Sequence, residues 1–294
     1  MKIGKINRKS IGENEFISVL ATIHAPPTEL YVAGTLPEHH IKSVAIVGSR
    51  KPTAYGVDVT HKLAYDLAKQ GIVIISGLAY GIDAVAHKAA LEAGGTTVAV
   101  MASGLHYIYP ATHTGLAEQI VKKGGALISE KPLGEDARNY DFLKRNRLVS
   151  GLADAVIVTE ATEKSGTLST VGHALDQNKE IFAVPGPITS LLSAGPNKLI
   201  QQGAHVALSA QDVLNVIAPE LKPVQSLLPL GDTELEVYII AQLQNKAKTT
   251  EALIAKLSSH KTFSSLPTAE LLQTLTMMEL KGTIKMKGGR YGLY

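Results

Sequence analysis

Neither cysteine nor tryptophan occurs in the 294 residues. Without cysteine there is no disulfide framework, no thiolate nucleophile and no thiolate metal site. Aromatic residues make up only 5% of the chain, so a surface paved with many stacking rings is excluded. Affinity for a polyanion would then come mostly from charge and depend on salt. An excess of one sign is missing too: Lys+Arg 29 against Asp+Glu 26 leaves +3, which permits a nucleic-acid partner only where cations cluster. No apolar run approaches the roughly 20 residues of a membrane span. The opening MKIGKINRKSIGENEF lacks the apolar core of a signal peptide. The expectation is a cytoplasmic protein with no membrane partner.

What the chain does contain is a regular alternation. Apolar runs at Val44–Val47, Ile72–Ile75, Thr97–Met101, Ala126–Ser129, Ala155–Thr159 and Ile181–Val184 read as strands buried on both faces. Helical spacing separates them, near Gly56–Gln70, Ile82–Ala93, Thr112–Lys122, Phe142–Gly151 and Thr167–Gln177, and a pair at Pro196–Gln202 and Ala210–Ile217 closes the region. This predicts an α/β fold, a Rossmann-like, doubly wound and mostly parallel sheet over residues 43–217. Residues 1–42 read as an extended lead-in with one edge strand at Leu30–Val32, and 218–232 as a proline-containing linker. Residues 233–294 carry three amphipathic helices, with Thr249-Thr250 and Ser265 as caps, then GTIKMKGGRYGLY with Gly288-Gly289 at a hairpin tip. That is the order of a small winged-helix domain.

Three strand-to-helix turns are chemically distinctive. Gly48-Ser49-Arg50 lacks the glycines of a dinucleotide fingerprint and the Gly-Lys-[ST] of a phosphate loop. It does place a guanidinium at the carboxyl end of a parallel strand, where open sheets bind ligands. In Ser76-Gly77-Leu78-Ala79-Tyr80-Gly81-Ile82-Asp83, two glycines four apart expose backbone amides, and Asp83 and His87 stand at i,i+4 with no further metal ligands nearby. Ser165-Gly166-Thr167 repeats the anion-binding pattern with hydroxyls. The densest basic cluster, Lys144-Arg145-Asn146-Arg147 with Arg138 and Phe142 close by, pairs cations with one ring, as phosphate and base contacts require. Taken alone it could equally be a solvated helix face. No nucleophile elbow, acid/base couple or metal-ligand spacing is present, so neither cofactor nor metal is expected.

With these residues in view, VAIVGSRKPTAYG, ISGLAYGIDAVAHKAAL, DFLKRNRLVSGLADAVIVTEATEKSGTLST and FAVPG followed by GPNKLIQQGA resemble the DNA-processing protein A family, also called Smf. The resemblance runs in order from Val44 to Ala204. It implies a Rossmann-like domain that binds single-stranded DNA as a homodimer, does not act as an enzyme, and loads the RecA recombinase in natural transformation and recombination. Carried over residue by residue, the implied DNA-binding set is Gly48, Ser49, Arg50, Phe142, Lys144, Arg145 and Arg147, with Gly77, Ser165 and Gly166 beside it. Asn139 stands about where the family often has a lysine before the phenylalanine, which makes Lys144 the substitute contact. Some members carry a helical domain before the lead-in, and this chain starts too late for one.

Two other readings compete. A nucleotide-processing enzyme of the phosphoribohydrolase kind would carry GGxGTxxE, whereas Gly166-Thr167 is followed by Leu168-Ser169-Thr170. A duplex reader would use the third terminal helix, which bears Glu270 and Glu279 and few cations, although the hairpin offers Lys285, Lys287 and Arg290.

Overall fold

The computed structural model describes residues 4–221, 233–243, 248–260, 262–264 and 266–293. The stretch 222–232 of the expected linker and the expected cap Ser265 lie outside them. Two compact units emerge, Met1–Val224 and Gln225–Tyr294.

In the first unit, the strands are β1 (Ile6–Ser10), β2 (Glu29–Gly34), β3 (Ser43–Val47), β4 (Val73–Ser76), β5 (Thr97–Met101), β6 (Ala126–Ser129), β7 (Ala155–Val158), β8 (Glu180–Ala183) and β9 (His205–Val206). The helices are α1 (Glu15–Ser18), α2 (Ala54–Lys69), α3 (Ile82–Glu92), α4 (Thr114–Lys122), α5 (Asn139–Leu152), α6 (Thr167–Asp176), α7 (Ala194–Gln201) and α8 (Ala210–Ile217). One sheet runs β1-β2-β6-β5-β4-β3-β7-β8-β9. β3 to β9 are parallel, and β1 and β2 add antiparallel strands at one edge.

Alternation along β3 sorts the two faces, because successive side chains leave a strand on opposite sides. Val44 and Ile46 join Leu63 and Leu67 of α2, Ala86 of α3 and Leu214 of α8. Ala45 and Val47 join Leu148 of α5, Val171 of α6 and the early residues Phe16 and Leu20. Residues 1–42 are therefore more than a lead-in. They supply two strands and a buried hydrophobic anchor, and β1 escapes the sequence pattern because the edge strand INRKS is mostly polar.

The chain winds outward from β3 through β4 and β5 to β6, then returns to β7 on the other side of β3. Ligands of open parallel sheets bind at such a reversal, outside the carboxyl ends of the strands. The GSR turn follows β3 at that point.

The second unit holds α9 (Glu234–Leu243), α10 (Thr250–Ser258), α11 (Thr268–Leu280) and the hairpin β10 (Ile284–Lys287) and β11 (Arg290–Leu293). Its core gathers Ile239, Leu253, Leu275, Met278, Ile284 and Tyr291. Thr249 caps α10 by accepting from Ala252 N at 3.3 Å.

Asp83 and His87 do not pair. His87 is fully buried with Nδ1 2.7 Å from Thr97 Oγ1, and that hydroxyl donates its proton to Ile74 O at 2.7 Å. Nδ1 must therefore carry the hydrogen, leaving Nε2 bare and without a partner among the described residues. Burial, followed by the charges of His113 and Arg145, pulls His87 down from 6.5 to about 3. Because the unfolded chain takes up this proton first, stability is complete above pH 6.5 and falls as pH drops toward 3. Between pH 6.5 and 4.5 the wild-type unfolding free energy should fall by about 2 kcal/mol more than that of His87→Asn, whose amide keeps the donor to Thr97. Urea titrations at the two pH values check this; equal losses would show that His87 does not set the slope.

Candidate nucleic-acid interface

The GSR and SGLAYG turns are built against each other. Ser49 N donates to Glu160 O at 2.7 Å, and Ile82 N donates to Ser49 O at 3.1 Å. Gly81 has φ 74° and ψ −125°, a region closed to side chains, and a Cβ there would lie 2.3 Å from Ser49 O. A Cβ on Gly48 would meet Ile82 Cγ1 at 2.7 Å. Gly81 is thus required by the close approach of backbone to backbone, and Gly48 by the packing of the Ile82 side chain and the Glu160 carbonyl against it.

Two of the anion-binding positions expected from the sequence are filled by the chain's own carboxylates. At the N-terminus of α2, buried Glu160 accepts from Thr53 N at 2.8 Å and Thr53 Oγ1 at 2.5 Å. At the start of α3, Asp83 Oδ2 accepts from Gly77 N at 3.0 Å and Ala79 N at 3.2 Å. Burial raises the Asp83 pKa, opposed by the Arg145 charge and those two amides. The Ser165-Gly166-Thr167 turn is different. Thr167 Oγ1 donates to Gly48 O at 3.1 Å, which ties this turn to the first, while Ser165 Oγ has no partner among the described residues.

These turns and α5 enclose a cavity of about 380 Å³, lined by Gly48, Ser49, Arg50, Asp83, Phe142, Arg145, Ser165 and Gly166 among others. Arg50 is exposed, and no ion pair or hydrogen bond ties it to another described side chain. Its guanidinium stands 5.5 Å from the centroid of the Phe142 ring, a cation–π contact. A free guanidinium beside an aromatic ring, with the Ser165-Gly166-Thr167 turn lining the same cavity, can hold a phosphate and a flat base together.

The basic cluster divides. Arg145 is buried: Nη1 donates to Gly77 O at 2.8 Å and to Val100 O, and burial lowers its pKa to about 10. It lines the cavity as a fixed internal charge, not as a mobile phosphate contact. Gly77 does not line the cavity. Its carbonyl and amide serve Arg145 and Asp83, which places it in the frame behind the cavity and not in its lining. Lys144 is exposed and borders a neighbouring cavity of about 310 Å³ together with Glu130, 4.0 Å away. Arg147 does not share the Arg50 cavity. It is buried, and its Nη2 lies 2.6 Å from both oxygens of Glu130, so its charge is committed inside the protein. A helix places residues i and i+2 on different faces, which is why Arg145 and Arg147 part company.

Sequence reasoning missed Glu160, Glu130 and Tyr109. The carboxylates carry no local signal, since their partners lie far along the chain. Tyr109, whose ring centroid is 5.4 Å from that of Phe142, sits in LHYIYP, where exposed His106, Tyr107 and Tyr109 stand between and beside buried Leu105 and Ile108. Two tyrosines on either side of one residue, in a chain with few rings, are the signal that points to it.

The glycine geometry gives a paired expectation. Gly81→Ala should cost roughly 2–4 kcal/mol of stability, because it adds both backbone strain and a clash with Ser49 O. Gly166→Ala should be close to neutral, since its Cβ would meet only Leu143 Cδ2 at 3.6 Å. Chemical denaturation of both variants decides the matter, and equal effects would disprove the packing of the two turns.

Relatives are found on both sequence and structure. Protein Smf of Escherichia coli is 45% identical over 188 residues, 64% of this chain; the chain spans only half the length of that relative. DNA processing protein DprA of Bacillus subtilis is 41% identical over 209 residues, 71% of this chain and 70% of its own. The structure of DNA processing protein A from Helicobacter pylori, a protein with a single-stranded DNA binding mode, matches with a TM-score of 0.66 at 30% identity. That match covers 76% of this chain and all of the other. The model of the DNA recombination-mediator protein A family matches residues 8–218, a span that takes in the GSR turn, the basic helix and the SGT turn alike, and the chain belongs to that family.

Proposed function

We propose that this protein binds single-stranded DNA without cutting it, protects incoming or exposed strands as a homodimer, and loads RecA recombinase onto them for natural transformation and recombination. The observation that carries the reading is Arg50, exposed and stacked on Phe142 at a cavity on the sheet's reversal point. Gly48, Ser49, Ser165 and Gly166 line the cavity that takes the strand, with Lys144 a flanking cation. Arg145 holds the frame. The family's description as a recombination mediator and the single-stranded DNA binding mode of the Helicobacter pylori protein support the same reading. Because the contacts fall mainly on phosphate, binding is expected to be strongly salt-dependent and nearly indifferent to sequence.

The enzyme reading finds less support. Thr170, buried and lining the cavity, stands where phosphoribohydrolases have their glutamate. The carboxylate that does line the cavity, Asp83, is occupied by two backbone amides of its own turn. The terminal unit is read as a winged helix with an accessory role. Its third helix exposes Leu272, Met277 and Leu280 beside Glu270 and Glu279, a surface poorly suited to a major groove.

Replacing Arg50 by alanine should weaken single-strand affinity at least tenfold while leaving the thermal midpoint unchanged. The plot of log affinity against log salt should become shallower by about 0.7, the value for one lost phosphate contact on a single strand. Fluorescence anisotropy across a salt series measures both. Wild-type affinity and slope in the variant would overturn the assignment of this cavity, and release of free base from nucleoside monophosphates by the wild-type protein would restore the enzyme reading.

A further inference from the structure

The loop 102–110, ASGLHYIYP, presents rings that the Arg50 cavity leaves unused. Leu105 and Ile108 anchor it, fully buried among Met101 of β5 and Leu116 of α4. Tyr107 and Tyr109 flank Ile108 and stand 44% and 45% exposed. The loop is braced at several points. Ser129 Oγ donates to Ser103 O at 2.7 Å, Gly104 N to Glu135 O at 2.9 Å, and Gly134 N to His106 Nδ1 at 3.0 Å. Aromatic rings held outward on a braced loop lose little conformational freedom when a flat ligand arrives.

These rings border a third cavity of about 490 Å³, lined by Ser103, His106, Tyr107, Tyr109, Asp136 and Ala137. One ring contact joins its wall to that of the first cavity. The Tyr109 and Phe142 rings are 5.4 Å apart and tilted by 57°, and Arg50 sits on the other ring contact of Phe142. The charge is of the opposite kind to that of the Arg50 cavity: no lysine or arginine lines the space, and the Asp136 carboxylate lies 3.7 Å from His106 Nε2. Among the described residues the lining offers a phosphate no lysine or arginine, whereas a neutral planar ring needs none.

We propose that this cavity is a second nucleobase subsite. A base next to the one at Phe142 stacks on Tyr109, with Tyr107 completing the wall, and the phosphates remain on the Arg50 side. The inference rests on the single-strand reading of the Arg50 cavity.

The test uses the full chain and an oligothymidylate carrying one 2-aminopurine, whose fluorescence falls when it stacks on a ring. Anisotropy of an end-labelled copy reports overall affinity. Tyr109→Ala should lower affinity about tenfold, the scale of one lost base–aromatic stack, and should restore 2-aminopurine fluorescence. Tyr109→Phe should retain both the affinity and the quenching, which shows that the ring and not the fold is responsible. If Tyr109→Ala binds and quenches like wild type while Arg50→Ala loses affinity, the second subsite is overturned and the first stands. If Arg50→Ala also binds like wild type, the reading of the first cavity fails and the second falls with it.

Discussion

The buried guanidinium of Arg145 is the constraint on which the rest of this site depends. A cation taken out of water is costly unless it is paired and fully hydrogen-bonded. Here the carbonyls of Gly77 and Val100, at the carboxyl ends of β4 and β5, receive it, and the charge of Asp83 offsets its burial. The compensation comes from β5 and from the stretch Gly77–Asp83 that follows β4, so one side chain fixes α5 against two strand ends and the SGLAYG turn at once. Phe142 lies three residues earlier on the same helix face, and its meeting with Arg50 follows from that anchoring. Gly77 completes the arrangement: a Cβ there would fall 2.4–2.6 Å from the guanidinium atoms.

The same economy of charge explains what the sheet's reversal point can accept. In a parallel α/β sheet the amides at helix N-termini are natural anion sites. Glu160 occupies one of them from within, on the amide of Thr53 that caps α2, and Asp83 takes the loop amides of Gly77 and Ala79 ahead of α3. A compact phosphate group therefore finds both sets of donors taken. What is left for a ligand is distributed: a free guanidinium, a ring beside it, and the SGT turn that lines the same cavity. Donors spread along a rim match an extended polyanion better than a small nucleotide held at a single point.

The sheet was legible in the sequence because its central strands are buried on both faces, and a short continuous Val/Ile run bounded by glycine turns suits such a strand better than a helix. Its boundaries fell within a residue or two of the observed ones at β3, β5, β6 and β7. β1 and β9 were not legible. One is polar and at an edge, the other is two residues long, and neither carries an apolar signature. At the site, the turns were readable from glycine spacing, since backbone crowding leaves no alternative residue at Gly48 or Gly81. The basic cluster was not, because counting cations says nothing of which face each one takes. Lys144, Arg145 and Arg147 look equivalent in sequence; one is exposed, one is a buried pin, and one is paired with Glu130 seventeen residues away.

A low aromatic content likewise bounds the number of rings without saying where they gather. With the exception of the half-buried Phe142, the rings near the strand ends are tyrosines, and Tyr80, Tyr107, Tyr109 and Tyr140 are all exposed. Tyrosine tolerates this position because its hydroxyl stays solvated while its face remains free. Such a residue contributes little to folding, and its exposure leaves apolar area unburied. The surrounding frame shows how that arrangement is kept: Leu105 and Ile108, three residues apart, take the core positions of the loop, and the two tyrosines that flank Ile108 are left exposed. Composition thus sets the scarcity, and one short loop with two buried anchors gathers two of the few rings at one rim.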